Sequence, residues 1–288
     1  MMTAFISVLL FAFGLIFGSF LNVVIFRYHP DRSLFAAGPL GGRSHCRSCN
    51  AQLAWYELIP VVSFAIQRAR CRHCGAPLSW QYPLVELLTG FIFLTPLYFY
   101  DAHATVFSLW TGGIWTVAFA SFLVLAAIDY YWFIIPDELN IFIAALGAVR
   151  IAVEYYFHTF GAFAGSFIGS YAELFGLRGD VLTNHIAGAL FGLALIGVII
   201  AVTRGRGMGV GDLKLAGALG VLFGWPDVIF VLAFGFVLGS LYAVGVLVRR
   251  SKGMKDSVPF GPFLVAGATA LVFYGHAILT WYFGIFLS

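Results

Sequence analysis

Long apolar runs, separated by short polar stretches, set the rhythm of this chain. A hydrocarbon core of about 30 Å takes about 20 residues of apolar helix. Seven runs suit that length: 4–26, 82–100, 104–128, 139–157, 186–202, 228–248 and 260–286. An eighth, shorter run covers about 210–225. The first has no basic residue before it, is longer than a signal-peptide core and lacks a small-x-small cleavage site near its end, so it reads as a retained span. The pattern predicts an all-α polytopic membrane protein with about eight transmembrane helices.

Composition agrees. The 288 residues are 61% hydrophobic and 10% charged, with mean hydropathy +0.94, whereas soluble domains carry about 25% charged residues. The net charge of +3 acquires meaning from its distribution. Arg27, Arg32, Arg43, Arg47, Arg68, Arg70 and Arg72 lie in the first long loop; Arg204, Arg206 and Lys214 flank the short run; Arg249, Arg250, Lys252 and Lys255 precede the last span. With eight crossings these fall on one face, which the positive-inside rule makes cytoplasmic. Arg150 and Arg178 disagree, and Arg150 has Glu154 four residues on as an ion-pair partner. Both termini then lie outside. No basic patch with interleaved aromatics points to nucleic acid, so membrane lipid is the expected surrounding.

The first loop carries all four cysteines, as "CRSCNAQL" from Cys46 and "CRHCGAPL" from Cys71. Cys46, Cys49, Cys71 and Cys74 form two C-x2-C pairs 21 residues apart, a spacing that suits tetrahedral zinc in a closed, structural site. Two disulfides or four inert thiols are the alternatives, the first disfavoured in a reducing cytoplasm. Asn50 and Gly75 follow each pair where a tight knuckle needs positive φ. The chain thus divides into a first transmembrane helix (1–26), a small cytoplasmic zinc-binding loop domain (27–81) and a membrane domain (82–288).

Thirteen acids are few enough to weigh singly. Asp31, Glu57, Asp101, Glu173, Asp180, Asp227 and Asp256 fall in loops and read as solvated. Glu138 is a first-turn acid, Glu86 a buried polar partner, and Asp137 the N-cap of the fourth span. Asp129 ends the third span among aromatics. Asp212, in "GMGVGDLKL", is drawn to the membrane boundary, because Leu215 to Trp225 gives only about 16 Å of helix. Ionisable groups at membrane depth are costly and usually functional. Two carboxylates meeting in a poorly solvated site share one proton, which equips them for peptide hydrolysis. From spacing alone, a proton- or cation-coupled transporter stands beside a protease as an alternative. Helix ends would favour neutral Asp129 and ionised Asp212.

Six segments in order carry a resemblance: "GSFLNVVIFR", "SHCRSCNAQLAWYELIPVVSF", "RCRHCGAPLSWQYPLVELLTG", "IDYYWFIIPDELN", "GMGVGDLKL" and "VPFGPFLVAG". Together they resemble the type IV prepilin peptidases, GxGD-type intramembrane aspartic proteases of bacteria. The resemblance implies that Asp129 and Asp212 are the catalytic pair and that the four cysteines form the zinc-binding domain of bifunctional members. It further implies prepilins or secretion pseudopilins as substrates, cleaved at the cytoplasmic face of the inner membrane, and S-adenosylmethionine as methyl donor for the new N-terminus. Tyr130, Tyr131, Trp132 and Phe133 depart from the polar character expected after Asp129. No strand with a glycine-rich turn marks a site for S-adenosylmethionine.

Overall fold

The computed structural model describes residues 2–31, 33–34, 42–103, 105–157, 165–176, 180–248 and 258–286. Arg32, Arg178, Arg249, Arg250, Lys252, Lys255, Asp256 and the side chain of Asp101, all weighed above, lie outside them, as do residues 158–164 and 177–179 of the long connection before the fifth span. The described chain is helical: α1 (Met2–Arg27), α2 (Val62–Ile66), α3 (Gln81–Ile92), α4 (Thr95–His103), α5 (Val106–Trp132), α6 (Asp137–Tyr156), α7 (Val181–Thr203), α8 (Val210–Phe223), α9 (Asp227–Val248) and α10 (Gly261–Phe286). Two 3-10 turns, Trp55–Leu58 and Gly169–Phe175, complete it.

Among the described residues seven helices, counting α3 and α4 as one, are long and apolar enough to cross a membrane, and the chain is a multi-pass membrane protein. The eighth run is α8, and it is not of spanning length: it has 14 residues, about 21 Å at 1.5 Å each. Gly224, at φ +77°, ends it. Leu215 to Gly220, Leu222 and Phe223 are buried, so α8 is enclosed by protein, whereas α7 and α9 present most of their apolar side chains outward.

The chain forms two compact units, Met1–Val124 and Leu125–Ser288. In the first, α1 packs on α3. Gly14 and Gly18 bring the two backbones together: a Cβ at either would lie 2.7 Å from the backbone of Thr89 or Glu86. In the second, α8 packs against α7 and α6. Gly188 and Gly192 of α7 face Ala216 and Gly220 of α8, and a Cβ on Gly192 would overlap the Ala216 carbonyl. Apolar helices in lipid gain little from burying one another, so close backbone approach at small residues has to supply the contact.

The acids deserve revision one by one. Glu86 is a buried partner as expected, accepting from the Val61 N–H at 2.8 Å. Arg150 pairs with Glu154 at 2.8 Å. Asp180 does more than meet solvent: it caps α7, accepting from the Thr183 N–H at 2.8 Å. Glu57 is buried and accepts from the Ala54 N–H at 2.9 Å. Asp227 is 1% exposed, not solvated, and takes the Ser166 hydroxyl at 2.7 Å and the Phe167 N–H at 3.0 Å. Asp137 is not a cap. Pro136 holds that position, and Asp137 is free to accept both oxygens' worth of contact from Lys214 Nζ, at 2.8 and 2.7 Å.

The described part of the long connection, 165–176, is a packed element rather than a surface loop. Ile168 and Ala172 are fully buried, and Tyr171 stacks on Phe283 of α10 at 5.1 Å.

Candidate active site

Asp129 and Asp212 both belong to the second unit, and each is held by a helix end. Asp129 lies in the last turns of α5, which closes as Phe133 turns to φ +54° and returns its N–H to the Asp129 carbonyl at 2.9 Å. The Asp129 side chain is 4% exposed. One oxygen accepts the N–H of Gly261, the first residue of α10, at 2.8 Å. A Cβ there would lie 2.7 Å from the carboxylate oxygen it serves, so any larger residue would displace the Asp129 side chain.

Asp212 occupies the first turn of α8. Gly209 precedes the helix, and the Asp212 carboxylate reaches back to the Gly209 N–H at 3.0 Å, the reciprocal half of a capping box. The side chain is half-buried. Gly211 packs on Ile135, with a Cβ position 3.3 Å from the isoleucine side chain. This contact and the Lys214–Asp137 pair tie the segment after Asp129 to the start of α8. The two carboxylates fall within electrostatic reach of one another.

Each aspartate therefore meets the N-terminal end of a helix, α10 for Asp129 and α8 for Asp212. The Gly261 contact offsets part of the helix-end asymmetry expected from sequence, which places Asp129 at the C-terminal end of α5 and Asp212 at the N-terminal end of α8. Tyr130, Tyr131, Trp132 and Phe133 are all exposed, forming the kind of aromatic rim found at membrane interfaces. Sequence reading passed over two more residues here. Gly261 sits in the quoted "VPFGPF" stretch, but its role depends on a contact 132 residues away. Asn140, in "PDELN", is buried in α6 with no hydrogen-bond partner on either amide atom.

The cysteines of the first unit form a second centre. Each C-x2-C pair makes the same knuckle. The Asn50 N–H bonds the Cys46 carbonyl and the Gly75 N–H the Cys71 carbonyl, both at 2.9 Å. Asn50 and Gly75 have φ of +56° and +70°, as that turn requires. All four Sγ atoms lie within 4.8 Å of one another, with Cys46 and Cys74 at 3.9 Å, and none is in a disulfide. Four sulfurs at about 2.3 Å from a tetrahedral metal would be about 3.8 Å apart, so the cluster fits a metal ion. Backbone N–H groups of Cys49 and then Ser48 favour the thiolate of Cys46 and bring its pKa down to about 6.

Against this geometry the comparisons with known proteins fall into place. Residues 12–100 match the bacterial peptidase A24 N-terminal domain and 116–244 the type IV leader peptidase family. The chain is 30% identical to the prepilin leader peptidase/N-methyltransferase of Aeromonas hydrophila over 301 residues, 97% of this chain and 94% of that one. It is 29% identical to the protein of the same name from Bacillus subtilis, covering 95% of this chain and 96% of the other. The Myxococcus xanthus relative shares 31% over 86% of this chain. The chain belongs to the type IV leader peptidase family. No solved structure matches it.

Proposed function

We propose that this protein cleaves the leader of prepilins or pseudopilins with the carboxyl pair Asp129 and Asp212, and methylates the new N-terminus using S-adenosylmethionine. The observation that carries the proteolytic half is the placement of two acids, 83 positions apart, at helix ends of the same compact unit, in a family of leader peptidases. One carboxyl, protonated, hydrogen-bonds the scissile carbonyl oxygen. The other, ionised, takes a proton from water as the water oxygen attacks the carbonyl carbon. The tetrahedral species collapses as the carbon–nitrogen bond breaks and the amine leaves with a proton from the acid. Gly261 keeps Asp129 in place through its N–H, and the Asp137–Lys214 pair anchors the start of α8.

The clustered basic residues of the first loop support placing this chemistry at the cytoplasmic face of the bacterial inner membrane. The cysteine cluster suits zinc in a structural role, since four thiolates leave no open position. S-adenosylmethionine, when bound, supplies a methyl group on a sulfonium.

The test is incubation of the purified protein with a prepilin and S-adenosylmethionine. The wild type yields a shortened, N-methylated product, and Asp129→Asn and Asp212→Asn each yield none while remaining folded. Efficient cleavage by either variant would remove the pair from the mechanism.

A further inference from the structure

The second unit buries a group of charges that the aspartate chemistry does not touch. Arg150 and Glu154 of α6, His185 of α7 and Asp227 of α9 are each at most 7% exposed. They gather at the end of α8 opposite Asp212. The Arg150 guanidinium sends each of its three nitrogens to a different partner: Nε to Glu154 Oε1 at 2.8 Å, Nη1 to the Leu222 carbonyl at 2.8 Å and Nη2 to the Gly165 carbonyl at 2.9 Å. His185 reaches the Val221 carbonyl through Nδ1 at 2.7 Å and faces Glu154 Oε2 through Nε2 at 3.9 Å. A carbonyl only accepts, so Nδ1 carries a proton. Asp227 holds the segment after Gly165 through Ser166 and Phe167. At Gly165 itself, φ +148°, a Cβ would press on Arg150 Nη2 and Glu154 Oε1, 3.1 Å from each.

Burying charges is costly, and an apolar set of the same volume is often as stable or more so. What such a group does well is fix one register against its neighbours. Little else sets the register of α8. Along its sides, Gly147 of α6 and Gly188 and Gly192 of α7 meet the backbone of Val221, Gly220 and Ala216. Faces this smooth set how near the helices come, but put few side chains in the way of sliding. At the Asp212 end, the Lys214–Asp137 pair is about half exposed on both partners and holds weakly. The last carbonyls of a helix have no partner within it. Here Val221 and Leu222 spend theirs on side chains of two other helices, and Trp225 adds its N–H to the Asn184 carbonyl at 2.9 Å.

We propose that Arg150 and His185 are positioning residues for the Asp212 carboxyl, forming a clamp at the far end of α8 that sets how far this helix reaches along its axis. This rests on the peptidase reading given above. Leu222 stands ten residues from Asp212, about 15 Å of helix. A buried helix of that length moves as one body, so a slip at the clamp is carried whole to the carboxyl. One residue of slip is about 1.5 Å, and a misplacement of about 1 Å at a reacting group can cost about 10²-fold in rate.

Kinetics of prepilin cleavage by the full-length protein in detergent test the clamp. Arg150→Lys keeps a charge opposite Glu154 but gives up the three-way fork. Arg150→Met combined with Glu154→Gln removes both charges at similar volume, so neither is left unpaired. His185→Leu loses the bond to Val221, whereas His185→Asn puts an amide nitrogen near the place of Nδ1. The first three should lower kcat per folded molecule by about 10–100-fold with KM within about threefold, and His185→Asn should stay within about threefold of the wild type. The folded fraction is counted by circular dichroism and size exclusion, well below each thermal midpoint. Infrared spectroscopy supplies a second readout: the carboxyl bands lost in Asp212→Asn should be shifted in Arg150→Lys and unshifted in His185→Asn. Lost rate that tracks the folded fraction, with those bands unmoved, reduces the cluster to a structural role and overturns the proposal. A wild-type kcat in any folded variant of the first three overturns it as well. Failure of the wild type to cleave prepilin would instead bring down the peptidase reading, and the infrared comparison would still decide whether the clamp governs the Asp212 carboxyl.

Discussion

In the unit Met1–Val124 the chemistry-bearing side chains come from loops. Two cysteine knuckles and a single turn of 3-10 helix carry the thiols and Glu57, beside a cavity of about 560 Å³. In Leu125–Ser288 the aspartates come from helix ends fixed by backbone contact. Gly261 serves Asp129, Gly209 serves Asp212, and the Gly188 and Gly192 pair presses α7 onto α8. Helix packing can hold a carboxyl pair without a metal. In the loop unit the four clustered thiols are the group able to cross-link the chain through a metal. The comparison teaches that the two halves depend on different forces and should fail separately.

The sharpest break is at the aspartates. Asp129→Asn or Asp212→Asn should lower leader cleavage by about 10²–10⁴-fold, the usual worth of a positioned acid or base, in a gel assay of prepilin shortening. Methylation of a pilin supplied already cleaved should stay at the wild-type level. Next comes the metal. Cys46→Ser with Cys71→Ser should abolish metal retention by the cysteine cluster, checked by metal analysis, and reduce methyl transfer by at least about tenfold. Cleavage should fall by less than about threefold. Equal loss of both activities would erase the distinction between the units.

Packing follows. Gly192→Val forces a side chain onto the Ala216 carbonyl and should cost about 1–3 kcal/mol, seen as a lower thermal midpoint together with reduced cleavage. The smallest effect belongs to Asp137→Asn. It loosens a pair with Lys214 that is about half exposed on both sides, worth about 0–1 kcal/mol. Cleavage should change by no more than a few-fold.

Much of this was legible in one dimension because it is written locally. Apolar length marked the spanning helices, the C-x2-C-[N/G] repeat marked the knuckles, and the spacing of Arg150 and Glu154 marked their pair. What escaped notice depends on distant chain meeting. Nothing near Asp227 announces that Ser166 and Phe167 will bury it, and nothing near Gly261 names Asp129 as the acceptor of its N–H. Asp137 looked like a cap because acids cluster at helix starts, and Pro136 had already taken that place. The cavity has no sequence signature at all, since its wall is gathered from three separated stretches.

The shortness of α8 has a consequence for reagents. About 21 Å of helix falls some 9 Å short of a hydrocarbon layer about 30 Å deep, and backbone left at that depth must face protein or water. At the Gly224 end protein answers. Arg150 donates to the Leu222 carbonyl and His185 to the Val221 carbonyl, at 2.8 and 2.7 Å, and Trp225 donates to the Asn184 carbonyl at 2.9 Å. At the Asp212 end, Arg204 to Gly207 and Gly209 are exposed, so the shortfall opens there. Peptide hydrolysis consumes a water molecule for every bond it breaks, and lipid is the one solvent that cannot deliver it. A short helix leaves the carboxyl in its first turn next to exposed chain that water can reach, while Arg150 and His185 occupy the carbonyls at the other end.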